Sequence, residues 1–408
     1  MQRINKSEMK RFLFSFLATV LIGLSLFSCS ESSVPVVEDD ENGVPAEEEV
    51  LVEKDVTGDA SMMVNLENNE GADGTEGSRK LIDGDIHTKY LVRDIGDGGL
   101  LIRFQFAKPV QIAAYQITSG NDFDARDPMD WQFSGSDDGN TWVPLDKQDY
   151  EMFAQRNMTK RYAFKNIRKF LYYRWHVKRL YAGQMFQAAE FRLWSVPPAD
   201  QVVRPFTQID TLVKNDLTLL FVNKANGFNS TVKQGMAEVF FTNYPRLMKD
   251  FNPNAQKEVA FRIEPSYDGV AYVFNGFATF GASYMSNNPN DLDVVTHEVM
   301  HLVQSYAAGA PGWLSEGIAD YVRHRYGLYN DRAGWSLPNY QPDQHYTDAY
   351  RVTARFLVWI EQRYDEQLVK TLDDLLRKGQ YEETIWKQRT GKTLDELWTL
   401  YGADAAIE

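Results

Sequence analysis

Apolar positions along this 408-residue chain follow two different periods, and the change from one to the other divides it. Between residues 57 and 196 they alternate in short runs. Leu101-Ile102-Arg103-Phe104-Gln105-Phe106 is the clearest, Ile112 to Ile117 and Tyr172 to Val177 behave alike, and Phe191-Arg192-Leu193-Trp194 closes the series. Alternation sends every second side chain to one face of a strand, so each run can bury one face and wet the other. Lys108-Pro109 and Asp137-Asp138-Gly139-Asn140 supply turn chemistry between runs, and the region predicts an all-β sandwich.

From residue 205 to 408 the pattern mixes strands with 3–4 spacing, which predicts an α+β domain. Leu217–Val222, Glu258–Ile263, Val270–Phe274 and Phe277–Met285 read as strands. Met236, Val239, Phe240, Tyr244 and Leu247 give a helix over about Val232–Asp250. A second helix is expected over Asp291–Ala307, with Leu292, Val295, Val299, Leu302 and Val303 as its buried stripe and Asp293 in its first turn. Gly309-Ala310-Pro311-Gly312 ends it, and a third helix starts near Trp313. The last third is helical: Thr347 caps a helix carrying Tyr350, Phe356, Leu357 and Ile360, Glu366–Lys378 follows, and Thr393-Leu394-Asp395-Glu396 is a capping box.

Charge and composition refine the ends of this picture. The formal charge of −14 is unevenly spread: residues 1–28 carry +3, residues 30–55 carry −9, and the remaining −8 argues against nucleic-acid binding. A basic start followed by the apolar run Phe12–Phe27 predicts an export signal over residues 1–28. Cys29, the single cysteine of the chain, stands directly after that run, which excludes an internal disulfide. Residues 29–56 are acidic, aperiodic and interrupted by Pro35 and Pro45, as a self-repelling tether would be. Pro197-Pro198 marks a linker over residues 197–204.

The arrangement Leu26-Phe27-Ser28-Cys29 resembles the lipobox of bacterial lipoproteins, which implies lipidation at Cys29. The competing readings are an uncleaved anchor or an ordinary signal peptide. The acidic stretch behind it is similar to those of lipoproteins of Bacteroidetes-type bacteria, which implies an extracytoplasmic protein anchored in the outer membrane.

The chemistry is concentrated in Thr296-His297-Glu298-Val299-Met300-His301. On a helix, His297 and His301 lie one turn apart on the same face, and H-E-x-x-H spacing is that of a zinc site with Glu298 as general base. Glu316 and Asp320, one turn apart on the following helix, can both face the first. Glu316 is the expected third ligand, and Asp320 the outer carboxylate that orients His297; the rival assignment exchanges the two. His324, one turn beyond Asp320, reads as a surface or supporting residue. A donor for an oxyanion is expected from Tyr350, with Tyr346 and His345 as alternatives.

Two further resemblances follow from these residues. His297-Glu298-Val299-Met300-His301-Leu302-Val303-Gln304 and Pro311-Gly312-Trp313-Leu314-Ser315-Glu316-Gly317-Ile318-Ala319-Asp320-Tyr321-Val322-Arg323 resemble the basic secretory protein family. So do Ala349–Leu357 and Gly391–Trp398. That resemblance implies a zincin-like metallopeptidase domain over residues 205–408, gluzincin-like in its order of ligands, with Zn2+ as cofactor and a protein or peptide, including a glycosylated one, as substrate. It also implies that the strand before the motif helix forms the sheet edge that takes an extended substrate. This chain is acidic, so the family's adjective does not fit it. Residues 57–196 resemble discoidin-like (F5/8 type C, galactose-binding-like) domains at Leu81–Tyr90, Arg126–Gly139 and Ala188–Phe191. That resemblance implies a glycan ligand and a structural Ca2+ held by Asp83, Asp85, Thr88 and Glu190, hard oxygen donors all. A metal-free aspartate turn and a purely structural spacer are the plainer readings. The alternative to an enzyme is a surface glycan-binding or adhesion lipoprotein with a non-catalytic zinc site.

Overall fold

A computed structural model describes residues 53–195 and 206–408. The expected signal segment, Cys29, nearly all of the tether and the linker 197–204 lie outside the described residues. Among those described, no helix is long and apolar enough to cross a membrane.

The first domain is built from β1 (Ala60–Val64), β2 (Tyr90–Val92), β3 (Leu100–Val110), β4 (Ile112–Thr118) and β5 (Pro128–Ser136). It is completed by β6 (Val143–Gln148), β7 (Thr159–Ala163), β8 (Phe170–Leu180), β9 (Phe186–Ala188) and β10 (Glu190–Ser195). Two sheets, ordered β1-β3-β8-β5-β6 and β10-β4-β7, enclose one core, with β2-β9 as a short ribbon beside them. The alternation read from the sequence is the reason. Leu100, Ile102, Phe104 and Phe106 of β3 point inward, while Leu101, Arg103 and Gln105 between them are only partly buried. Phe191 of the opposite sheet stacks on Phe104 and Trp175, with ring centroids 5.3 and 4.7 Å apart. Buried Trp131 donates its Nε1–H to Tyr115 Oη, whose own hydroxyl donates to Asp146, so the polar ends of these two side chains are satisfied. Contacts of the sandwich reach slightly before residue 57: Asp55 bridges Trp194, and Ser195 N donates to Lys54 O.

The second domain opens with β11 (Gln208–Lys214), a strand the apolar pattern did not announce, paired with β12 (Leu217–Asn223). Helix α1 (Ser230–Asp250), capped by the Asn229 side chain, crosses over to β13 (Glu258–Glu264). Next come β14 (Ala271–Phe274), β15 (Phe277–Gly281) and the short helix α2 (Ala282–Asn287). The sheet order is β11-β12-β13-β15-β14, with β12, β13 and β15 mutually parallel. This corrects two expectations. The run Phe277–Met285 is strand only to Gly281, and β15 is interior to the sheet; the edge on its side belongs to the antiparallel β14. All five residues of β15 are buried, whereas all four of β14 are only partly so.

The remaining helices are α3 (Val294–Gln304), α4 (Gly312–Tyr326), α5 (Asn330–Ala333), α6 (Tyr350–Arg363), α7 (Leu368–Arg377), α8 (Thr384–Thr390) and α9 (Leu394–Ala403). The motif helix is thus shorter than expected. Asp293 sits just before it and does not cap it; its carboxylate takes the Thr296 hydroxyl and the Leu328 and Tyr329 amides, which ties the start of α3 to the end of α4. Tyr350, not Thr347, opens α6, and the Thr393/Glu396 capping box opens α9 as expected.

Strands β13 and β15 are buried on both faces, and their alternation distributes residues between two cores. Val259, Phe261, Ile263, Ala278 and Phe280 pack under the helices, while Ala260 and Phe277 join Met129 and Tyr181 of the sandwich. The sandwich therefore covers the sheet face that has no helices. Polar contacts fasten it there: Lys224 Nζ reaches Glu151 Oε1 at 2.6 Å, Lys160 Nζ reaches Glu151 Oε2 at 3.1 Å, and Asn275 donates to Tyr181 O.

Candidate metal centre

The site is assembled by two helices and completed by a third. Along α3, His297, Glu298 and His301 occupy adjacent positions of one face, and the left-handed residue Ser305 (φ 40°) turns the chain toward α4. Gln304 locks the two helices together: its side-chain carbonyl faces His301 Nδ1 at 2.7 Å and its amide donates to Ser315 O at 2.9 Å. Glu316 then lies one residue inside that junction. Gly317 matters for the next layer, because a Cβ there would lie 2.2 Å from Thr353 Cγ2. Its absence lets α6 come close enough to bring Tyr350 to the site.

Three atoms converge. His297 Nε2 and His301 Nε2 are 3.2 Å apart, and Glu316 Oε2 lies 3.2 Å from the first and 3.4 Å from the second. Among the described residues this is the one group of three or more His, Cys, Asp or Glu placed to hold a metal ion. Each imidazole has its other nitrogen engaged, His297 Nδ1 with Asp320 Oδ1 at 2.7 Å and His301 Nδ1 with Gln304. That fixes the tautomers so that both Nε2 lone pairs face the same point, as a cation requires. The donor set therefore fits a metal. Of the two assignments open from sequence, the geometry puts Glu316 at the convergence and Asp320 behind His297.

Electrostatics agree. Taken with protein groups only, His297 is pushed up to about 10: burial opposes its charging, but hydrogen bonds to Asp320 and Glu316 outweigh that. Glu316 is held well below the usual carboxylate range, since the hydrogen bonds and charges of the two histidines overcome its burial. Glu298 moves the other way. Its carboxyl is buried, Oε2 has no partner, and that burial raises its pKa despite both histidines.

A cavity of about 1260 Å³ opens over these groups. Tyr350 lines it, with its ring nearly parallel to that of His297 at 6.2 Å. The backbone presenting it is strained: Ala349 holds φ 65°, ψ −171° and Tyr350 φ 48°. Such angles cost about 1–3 kcal/mol in non-glycine residues and cluster at working sites. The charge of Glu316, then burial, raises the Tyr350 hydroxyl, so it stays protonated and able to donate. The two alternatives lie elsewhere: Tyr346 bonds Asp395, and His345 caps a short 3-10 turn.

Residues 222–401 match the family described as peptidase of plants and bacteria (BSP). The match spans the whole of the site and agrees with the resemblance carried by Glu316–Arg323. Among curated proteins, the peptide-N(4)-(N-acetyl-beta-glucosaminyl)asparagine amidase of Arabidopsis thaliana is 47% identical over 53 residues, 13% of this chain. The chain spans 7% of that relative's length, so the relative's activity is not transferred. Solved structures similar to this chain include a family 32 carbohydrate-binding module of Clostridium perfringens in complex with GalNAc-beta-1,3-galactose (15% identity, 34% of this chain, 99% of that one, TM-score 0.30). They also include an F5/8 type C domain of Bacteroides fragilis (15% identity, 35% of this chain, 96% of that one, TM-score 0.31).

The expected calcium residues lie in one turn region of the first domain, held by their own hydrogen bonds and ion pairs, and do not converge as a metal-holding group. Glu190 Oε1 accepts from Gly84 N at 2.7 Å, and Thr88 Oγ1 donates to both Asp83 oxygens. Asp85 Oδ1 caps the His87 amide, Lys80 approaches Asp83, and Arg192 pairs with Glu190. Burial pushes Glu190 up to about 7. Two residues of the candidate site escaped sequence reading. Gln304 was legible, lying three positions from His301 on the same helix face. Tyr267, a cavity residue whose hydroxyl is raised by burial and by the Glu298 charge, follows β13 in a loop with no local signal.

Proposed function

We propose that this protein is an extracytoplasmic zinc metallopeptidase, anchored through a lipid at Cys29, that hydrolyses peptide bonds. The observation that carries the enzymatic reading is the convergence of His297 Nε2, His301 Nε2 and Glu316 Oε2 beside a buried carboxylate in a large open cavity. Two imidazoles and one carboxylate suit zinc, and three protein donors leave a position for water. When bound, zinc would polarise the scissile carbonyl and bring the water's proton within reach of a carboxylate near neutral pH.

Glu298 takes that proton as the water attacks and delivers it to the leaving amine. Its burial serves this role, since a carboxyl raised toward neutrality both accepts and returns a proton. The Tyr350 hydroxyl donates to the developing oxyanion. The substrate lies extended along β14, whose outer edge is unpaired and lines the cavity through Ala271, Tyr272 and Val273. Asp320 and Gln304 hold the imidazoles in register. On its discoidin-like sequence, the sandwich directs the enzyme to glycan-bearing surfaces. The lipid anchor rests on the apolar run and on Cys29 alone.

Glu298→Gln tests the mechanism. Metal content should stay at the wild-type level while hydrolysis of an unbiased peptide library falls by about 10³-fold or more. Undiminished hydrolysis in that variant would end the general-base assignment. A wild-type protein that binds glycans, takes no zinc and cleaves nothing would instead be the adhesion lipoprotein.

A further inference from the structure

The cavity over the triad is larger than the triad needs, and part of its wall is cationic. Its carboxylates are taken by other groups or belong to the centre itself. Asp291 takes the Arg323 guanidinium and, at 2.5 Å, the Tyr284 hydroxyl; Asp320 takes His297; Glu298 and Glu316 stand at the centre itself. Two guanidinium groups in the same lining are not engaged. Among the described residues neither Arg332 nor Arg351 forms an ion pair. Arg351 Nη1 reaches the Ser336 carbonyl at 3.4 Å, and Arg332 lies 4.5 Å over the Tyr329 ring.

This wall is held in place. Arg323 and Asn330 exchange two hydrogen bonds, which fixes α5 to the end of α4, and the Arg323 guanidinium also covers the Trp335 ring at 4.4 Å. The Arg351–Ser336 contact joins the same segment to the start of α6. Arg351 directly follows Tyr350, whose ring lies over His297, and it lines the same cavity. In a chain of formal charge −14, with 57 acids against 43 bases, these two guanidinium groups share one cavity wall without a carboxylate partner among the described residues. A planar fork of N–H donors without a carboxylate partner is complementary to one, which it binds through paired, charge-assisted hydrogen bonds.

Building on the peptidase reading, we infer that Arg332 and Arg351 form a carboxylate-binding subsite, so that the substrate carries an acidic side chain or a free terminal carboxylate near the bond that is cut. The full chain is assayed against peptides identical except for Glu or Gln at one position, and against the same set with a free or amidated C-terminus. The carboxylate forms should be preferred by about tenfold to a hundredfold in kcat/KM, through KM, with the preference shrinking as salt rises. Arg332→Gln and Arg351→Gln should abolish that preference; both residues are exposed, so folding is not at stake. A Glu/Gln difference identifies an acidic side chain, and a free/amide difference identifies the terminal carboxylate. Binding of the same peptides to the Glu298→Gln protein, followed by fluorescence anisotropy, reads the subsite without turnover. Absence of hydrolysis by the wild type alone would overturn the peptidase reading. Equal binding of Glu, Gln, acid and amide forms would overturn the subsite whether or not peptides are cut.

Discussion

Asp320→Asn tests the expected division of roles between Glu316 as ligand and Asp320 as support. Asp320 is 4% exposed, and its Oδ1 accepts from His297 Nδ1 at 2.7 Å, short for a nitrogen donor and consistent with a charge-assisted bond. Asparagine keeps an acceptor oxygen in nearly the same place but removes the charge that makes the imidazole a better electron donor. Outer partners of this kind are worth about 10–100-fold in metal affinity, or about 1.4–2.8 kcal/mol, and retention of the acceptor puts Asp320→Asn at the lower end. Asp320→Ala should cost more, because it also leaves a buried N–H without a partner at about 1–3 kcal/mol. Glu316→Ala removes one of three donor atoms and should lose the metal under conditions where Asp320→Asn retains it. Zinc affinity is measured by competition with a chromophoric chelator on the purified full chain. The reasoning is refuted if Asp320→Asn strips the metal while Glu316→Ala shifts its affinity by only about tenfold, because the two side chains would then have exchanged roles.

Three other predictions concern separate parts of the molecule. Ala349→Gly should relieve backbone strain of about 1–3 kcal/mol, less about 0.5–1 kcal/mol of added chain entropy, raising the melting temperature while lowering kcat as Tyr350 loses its fixed presentation; a variant that loses stability would show that the Ala349 angles carry no strain. Glu151 lies between the domains, and although its burial opposes charging, Lys160 and Lys224 hold its pKa down at about 2, below the ordinary 4.5. A depressed carboxylate contributes stability above its unfolded pKa and loses it as pH falls through the folded one, so acid should weaken this contact between about 4.5 and 2. Glu151→Gln, which leaves two buried ammonium groups without their shared partner, should cost about 3–5 kcal/mol near neutral pH, and urea titration of both proteins from pH 7 to 2 should show their difference closing. Calcium held by Asp83, Asp85, Thr88 and Glu190 would displace the Glu190 proton, so millimolar Ca2+ should raise the melting temperature near pH 7 in the wild type and not in Glu190→Gln; an unshifted wild type would leave these residues as a turn fastened by its own hydrogen bonds.

Domain interplay gives the Glu151 contact its interest. The outward residues of β13 and β15, Ala260, Arg262 and Glu264 with Phe277 and Thr279, are all buried, so this face of the sheet has to be covered. The sandwich answers that demand. Asn275 and Phe274, at the end of the edge strand β14, are held by Tyr181, so the surface proposed to bind substrate is supported from the other domain.

What the sequence determined by itself is whatever depends on local period and fixed spacing. Alternation in Leu100–Phe106 sufficed for a sandwich strand, four-residue spacing sufficed to put His297 and His301 on one face, and the Thr393/Glu396 pair sufficed for a cap. These are short-range consequences of 2.0 and 3.6 residues per turn. Tertiary structure placed Glu316, the ligand expected from sequence, and not Asp320 at the imidazoles, because a helix of fixed pitch offers both and the α3–α4 junction at Gln304 and Ser315 sets its rotation and height. It also decided that β14 and not β15 lies at an edge, since strand order depends on crossovers between distant segments and leaves no mark on a strand's own residues. The strain at Ala349, the closeness of α6 allowed by Gly317, and the unpaired state of Arg332 and Arg351 belong to the same class: each is a relation between segments far apart in the chain, where no periodicity reaches.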